Sequence, residues 1–148
     1  MAETLGSLCD KLTIVKLKQW HTGQQNKLKN LEDQEEQLQQ EISEFIADAV
    51  SGKTPVDRLT FASNKVYTKK GNAITKIRGT IGEVFSKLVD INCLLWHEQE
   101  KIYDFENVPA EEKDKIVKCL ALLNLERNKC IDNIDKQFRA AIEQLRLG

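Results

Sequence analysis

Residues 28–49 read LKNLEDQEEQLQQEISEFIADA, and their apolar positions decide the class of fold. Leu28, Leu31, Leu38, Ile42, Phe45 and Ala49 follow alternating steps of three and four, with Glu35 as one acidic exception in the same stripe. Such spacing lays a single apolar seam along one side of an α-helix. Traced backwards, the register picks up Ile14, Leu17, His21 and Gln24, so one helix, or two nearly collinear ones hinged at Gly23, is expected from about Glu3 to Val50. An unbroken rod of that length would measure roughly 70 Å, longer than a compact domain of this size spans. A break near Thr22 and Gly23, or a dimer, relieves the excess. Ser51 and Gly52 supply the stop.

A second seam follows through Ile74, Ile77, Ile81, Val84, Leu88, Ile91, Leu95, Glu98, Ile102 and Phe105. Asn72 is its expected N-cap, and Phe85, Val89 and Trp96 widen its apolar surface, which predicts a helix at the centre of a bundle. A third helix is expected from Pro109, with Glu111 and Glu112 at the positive end of its dipole. Ile116, Leu120, Leu123, Ile134, Phe138, Ala141 and Leu145 carry it to the end. Between the first two seams, Lys53 to Gly71 loses the helical period. Thr54 and Pro55 open a short turn reaching Leu59, and Leu59 to Tyr67 reads as an extended segment laid on the bundle by Phe61, Val66 and Tyr67. The fold expected is therefore all-α. It is one domain over residues 1–148, a bundle of three long helices with the first continuous or broken near Gly23, and a long irregular connection at 53–71.

Composition narrows the functional classes. Lys and Arg total 22 against 23 Asp and Glu, a formal net charge of -1, so the global positive field of a nucleic-acid binder is missing. The most apolar run, Val84 to Trp96, is interrupted by Ser86, Lys87, Asp90 and Asn92 and is too short to cross a bilayer. No leader pattern precedes Asp10, and Cys9, Cys93, Cys119 and Cys130 form no C-x-x-C pair, so buried thiols in a reducing cytoplasm are expected. Charge is nonetheless segregated. Asn30 to Gly52 holds seven acids and no base, while Lys53 to Arg78 holds seven bases against Asp57 alone. The two regions either solvate and attract one another or make an anion site on the basic connection. Lys11, Leu12, Trp20 and His21 also recur 76 residues later as Lys87, Leu88, Trp96 and His97, the pattern expected of two similar helices side by side.

Two clusters carry reactive groups. On one helix His97 stands one turn from Glu100 and Lys101, beside Trp96 and Glu98, so a carboxylate would orient the imidazole. Alternatively Trp96 is core and His97 a boundary residue. In the other cluster Arg127 lies four residues from both Leu123 and Ile131, on the apolar stripe, with Asn128 beside it and Asp135 two turns on. A partly buried guanidinium requires a carboxylate, and Glu98, then Glu100, are its expected partners. The pair is either a lock on helix register or the floor of a polar pocket. Glycine-rich phosphate loops, nucleophile elbows and zinc ligand sets are absent from the sequence. Glu41 and Glu44, as Glu-x-x-Glu on one helical face, keep a magnesium site open.

From Lys87 to Asp135, about a third of the chain, the WHEQEK segment at 96–101 followed by LNLERNKCIDNID at 123–135 resembles a functionally uncharacterised bacterial all-helical domain family. The resemblance implies a helical fold, makes Trp96, His97, Arg127, Asn128 and Asp135 signature positions, and supplies no reaction. Glu41-Ile42-Ser43-Glu44-Phe45 with Ile81-Gly82-Glu83-Val84-Phe85 is similar to the MazG-like nucleoside triphosphate pyrophosphohydrolases, which hold magnesium on Glu-x-x-Glu and a later Glu-x-x-Asp. Here Lys87-x-x-Asp90 stands in place of the second pair. The reading carried forward is a cytoplasmic binding or interaction protein, homo-oligomeric and without a cofactor. Its polar inter-helix pocket would be formed by Trp96, His97, Glu98, Glu100, Lys101, Arg127, Asn128 and Asp135, for an anionic small molecule or a protein partner. Neither nucleic acid nor membrane is expected as a partner. A magnesium phosphohydrolase is the enzymatic alternative.

Overall fold

A computed structural model describes residues 3–61 and 77–147, and among these residues the chain is all-helical. Four long helices replace the three expected, because the first seam is two helices: α1, Leu5–His21, and α2, Gln25–Ser51. The break falls at residues 22–24, where Thr22 turns extended and closes α1 with its N–H on the Lys18 carbonyl. Gly52, at φ 86, ends α2 in the left-handed conformation that glycine adopts without a Cβ penalty. α3 spans Ile81–Tyr103 and α4 Ala110–Leu147. Asn72 lies outside the described residues, as do Val66 and Tyr67, and α3 is capped instead by Thr80. The Thr80 hydroxyl accepts from the Glu83 N–H while the Glu83 carboxylate reaches back to the Thr80 N–H. The turn expected after Pro55 is a 3-10 turn over Val56–Arg58 that delivers Leu59, fully buried, into the core.

α1 and α4, rather than α3 alone, occupy the centre. α1 and α4 each pack against all the other helices, whereas α2 lies along α1 with a small contact to α4 and shares little with α3. Packing makes the core from Leu5, Val84, Leu88, Ile91, Leu95, Cys130, Ile131, Ile134, Phe138 and Ile142, closed at one end by Ala49 and Leu59. Ile142 takes the buried position near the C-terminus, while Ala141 and Leu145 of the expected seam are exposed. Within α2 only Ala49 is fully buried, since a helix covered from one side leaves its stripe of Leu28, Leu31, Leu38, Ile42 and Phe45 half-open.

Glu35, the acidic exception in that stripe, has a structural role. Its carboxylate accepts from Lys16 Nζ at 3.0 Å and Gln19 Nε2 at 2.9 Å, both on α1, which pins the two antiparallel helices in register. These bonds hold Glu35 below the usual carboxylate range. At the other end, Arg146 Nη2 donates to the Ala49 carbonyl at 3.1 Å and so places a cation on the negative end of α2.

Asp135 anchors α1 from beneath. Its Oδ1 accepts the Gly6 N–H at 2.7 Å, and the carboxyl is 3% exposed. Burial pushes its pKa up to about 6 from 3.8, against the hydrogen bonds from Thr4 and Gly6. A folded-state pKa above the unfolded value favours the fold when the group is protonated. The contribution is complete below about pH 4 and is lost as pH rises through 6. Urea denaturation should therefore find Asp135 adding about 1 to 1.5 kcal/mol on going from pH 8 to pH 5. Asp135→Asn, which keeps the acceptor for Gly6, should remove that slope. An identical pH dependence in both proteins would refute the assignment.

Candidate functional site: the groove between α1 and α2

The sequence-predicted residues do not form one site. Lys101 Nζ donates to Glu98 Oε1 at 2.9 Å, an i, i+3 pair closed within α3. His97 is exposed. Asn128 Nδ2 donates to the Asn124 carbonyl one turn back, at 3.0 Å, and Asp135 is committed to the start of α1. Glu100 stands 4.0 Å from His21 Nε2. Of the expected set, Trp96 and Arg127 border the two cavities between α1 and α2.

Arg127 is half-buried on the apolar stripe and paired, but its partner is Asp10 of α1 and not Glu98 or Glu100. Nε donates to Asp10 Oδ1 at 2.9 Å and Nη2 to Oδ2, a two-pronged pair. Hydrogen bonding to Asp10 raises the Arg127 pKa above its already high ordinary value, against the desolvation that lowers it. Asn92 of α3, 1% exposed, donates Nδ2 to the same Asp10 Oδ1 at 2.9 Å. Three helices thus meet on one carboxylate. α4 runs antiparallel to α1 and α3 parallel to it, so an acid on α1 comes nearer to Arg127 than acids late in α3. Gly6, Asp10 and Thr13 recur at steps of four and three, all buried, and a count of apolar residues passes over that stripe.

Above this polar core two cavities adjoin between α1 and α2. The first, about 400 Å³, is lined by Asp10, Lys11, Val15 and Lys18 of α1, Gln34, Leu38 and Glu41 of α2, and Arg127. A second, about 370 Å³, lies towards the α1–α2 turn between Lys18 and His21 on one side and Lys27, Leu31 and Gln34 on the other, with Trp96 of α3 at its edge. Lys18 and Gln34 line both, which makes one continuous groove. The His21 and Trp96 rings stack with centroids 4.6 Å apart and planes 27° from parallel. His21 Nδ1 lies 2.7 Å from the Leu17 carbonyl, and because a carbonyl only accepts, Nδ1 carries the proton. The residues of the sequence echo have diverged in setting: Trp96 is half-buried in this stack, whereas Trp20 is 84% exposed.

Burial pushes the Cys9 and Cys130 thiols up to about 11 and raises Cys119, which removes them as nucleophiles near neutral pH. Cys93 is exposed rather than buried as expected. Among the described residues no three of His, Cys, Asp and Glu come together in a way that would hold a metal ion. Glu41 and Glu44 on α2 and Glu83 and Asp90 on α3 belong to helices that share little contact, and all but Glu41 are exposed. Among the described residues no helix is long and apolar enough to cross a membrane. Comparison with protein-family models, with curated proteins and with solved structures finds no match in any of the three.

Proposed function

We propose that this chain is a binding protein rather than an enzyme, and that its ligand is an anionic small molecule held in the α1–α2 groove. The supporting observation is a charge imbalance. Lys11, Lys18, Lys27 and Arg127 border the two cavities against Asp10 and Glu41, and with Asp10 paired to Arg127 and Lys11 to Glu3, Lys18 and Lys27 stand against Glu41. Arg127 gives two of its five N–H donors to Asp10 and has others for a ligand at the cavity floor. Cations gathered in a concave, partly apolar cleft attract and orient an anion more strongly than the same charges on open surface. The free thiols fit a reducing compartment, so the cytoplasm is part of the same proposal.

A thermal-shift screen of small phosphates, carboxylates and nucleotides, with and without magnesium, tests it. At least one anion should raise the melting temperature, and Lys18→Ala should weaken its binding by roughly tenfold, the worth of one hydrogen bond to a charged group. Stabilisation that survives loss of Lys11, Lys18 and Lys27 together would end the proposal. So would magnesium-dependent turnover of a nucleotide, which would return the phosphohydrolase reading to first place.

A further inference from the structure

The cavity beside the α1–α2 turn differs chemically from its neighbour. Among the described residues no acidic side chain lines it, whereas Asp10 and Glu41 line the adjoining one. Its two ammonium groups, Lys18 and Lys27, come from opposite walls. Nearby lysines are neutralised in place: Lys11 by Glu3, Lys16 by Glu35 and Lys101 by Glu98. Neither Lys18 nor Lys27 forms such a pair among the described residues, and the acid placed at this end of the groove, Glu100, stands 4.0 Å from His21 Nε2. The edge of the same cavity is the Trp96–His21 stack, an aromatic pair fixed by the His21 bond to Leu17 and left partly open to solvent. Asn30 and Gln34 follow Lys27 at steps of three and four, on one face of α2, and bring amide donors and acceptors to the cavity.

Flat π surface, two uncommitted cations and two amides within about 370 Å³ select for a particular ligand chemistry. We propose that this cavity takes a heteroaromatic anion of mononucleotide size. Its ring lies against the Trp96–His21 stack, its phosphate or carboxylate sits between Lys18 and Lys27, and its ring edge is read by Asn30 and Gln34. Aromatic stacking accepts any flat base, and the ammonium groups fix the charged end. The volume is at the lower end of small-ligand pockets, which fits one ring system with one charged group rather than a dinucleotide. The inference rests on the anion-binding reading above and narrows it.

Trp20→Phe supplies the probe, because Trp20 is far exposed and its removal leaves Trp96 as the sole tryptophan. Titration of that protein with adenosine monophosphate and with uridine monophosphate should change Trp96 fluorescence saturably for at least one of them. Adenosine, lacking the charge, and inorganic phosphate, lacking the ring, should each bind at least tenfold more weakly. Lys27→Ala should weaken the nucleotide and phosphate alike. His21→Ala should weaken the nucleotide and adenosine but not phosphate, and Lys129→Ala, on the exposed side of α4, should change nothing. Phosphate binding as tightly as the nucleotide would overturn the aromatic assignment and leave a simple anion site. Adenosine binding equally well would overturn the assignment of the cations. No saturable response to either nucleotide would also overturn it, while the broader reading would stand or fall on the thermal-shift screen.

Discussion

Arg127→Ala lowers the unfolding free energy by about 3–5 kcal/mol, the cost of leaving a buried charge without its counter-charge. The asymmetry between the two partners gives the prediction its edge. The Asp10 side chain is 5% exposed and the Arg127 side chain 32%. Without Arg127, the Asp10 carboxylate retains Asn92, a neutral donor, and has little contact with solvent to make up for the lost charge. Without the Asp10 charge, Arg127 still opens onto the groove and is partly hydrated there. Asp10→Asn should therefore cost clearly less than Arg127→Ala. Arg127→Leu in the Asp10→Asn background should cost less than Arg127→Ala alone, since no buried carboxylate is then left without its counter-charge. Urea denaturation of the four proteins forms the test. A loss below about 1 kcal/mol for Arg127→Ala would mean the pair is a surface contact and not a lock between α1 and α4.

Gly6→Ala destabilises by about 2–3 kcal/mol, although alanine is the better helix former by about 1 kcal/mol. A Cβ at position 6 would fall 2.6 Å from the Ile131 carbonyl oxygen and 2.9 Å from Asp135 Oδ1. The first of these is backbone and cannot rotate away, so α1 must lift off α4 and stretch the Gly6–Asp135 hydrogen bond. Gly82 is the matched control. It is the second residue of α3 as Gly6 is of α1, and a Cβ there meets nothing within 4 Å. Gly82→Ala should be neutral or gain up to about 1 kcal/mol. Thermal melts of the two variants should move in opposite directions. Equal shifts would show that helix propensity, not the α1–α4 approach, decides both.

Both predictions concern residues that hydrophobic periodicity overlooks. The three-four spacing of Leu28 to Ala49 was sufficient to predict helix, and Gly23 and Gly52 marked its interruptions, because those are properties of the local backbone. Arg127 on an apolar stripe was sufficient to predict a paired, half-buried guanidinium, because desolvating an unpaired charge is too costly. Asp10 gave no comparable sign. Acids beside apolar residues are usual at the edge of an amphipathic helix, and only an α1 enclosed by three other helices turns that edge inward.

The grouping of the candidate site residues followed the same division. Trp96, His97, Glu98, Glu100 and Lys101 are adjacent in sequence, but successive residues point about 100° apart around a helix and separate into different surroundings. Trp96 goes to His21 and the groove, Glu98 to Lys101, and His97 to solvent. Lys18, Lys27 and Gln34 were unremarkable as sequence, being polar residues on helices rich in them. They became groove residues because residues 22–24 fold α2 back along α1.

The break at Gly23 was left open in the sequence and the count of long helices came out one short; helix as the class, the stop at Gly52 and the pairing of Arg127 were legible there. These follow from hydrogen bonding within a few residues and from the cost of burying charge. Which helices pack together was decided by the tertiary structure, and with it the choice of Asp10 over Glu98, the close approach at Gly6 and the gathering of cations around Trp96. Such contacts join residues up to 129 positions apart, as Gly6 and Asp135 do, and periodicity within one helix carries no information about the rotation and register of its neighbours.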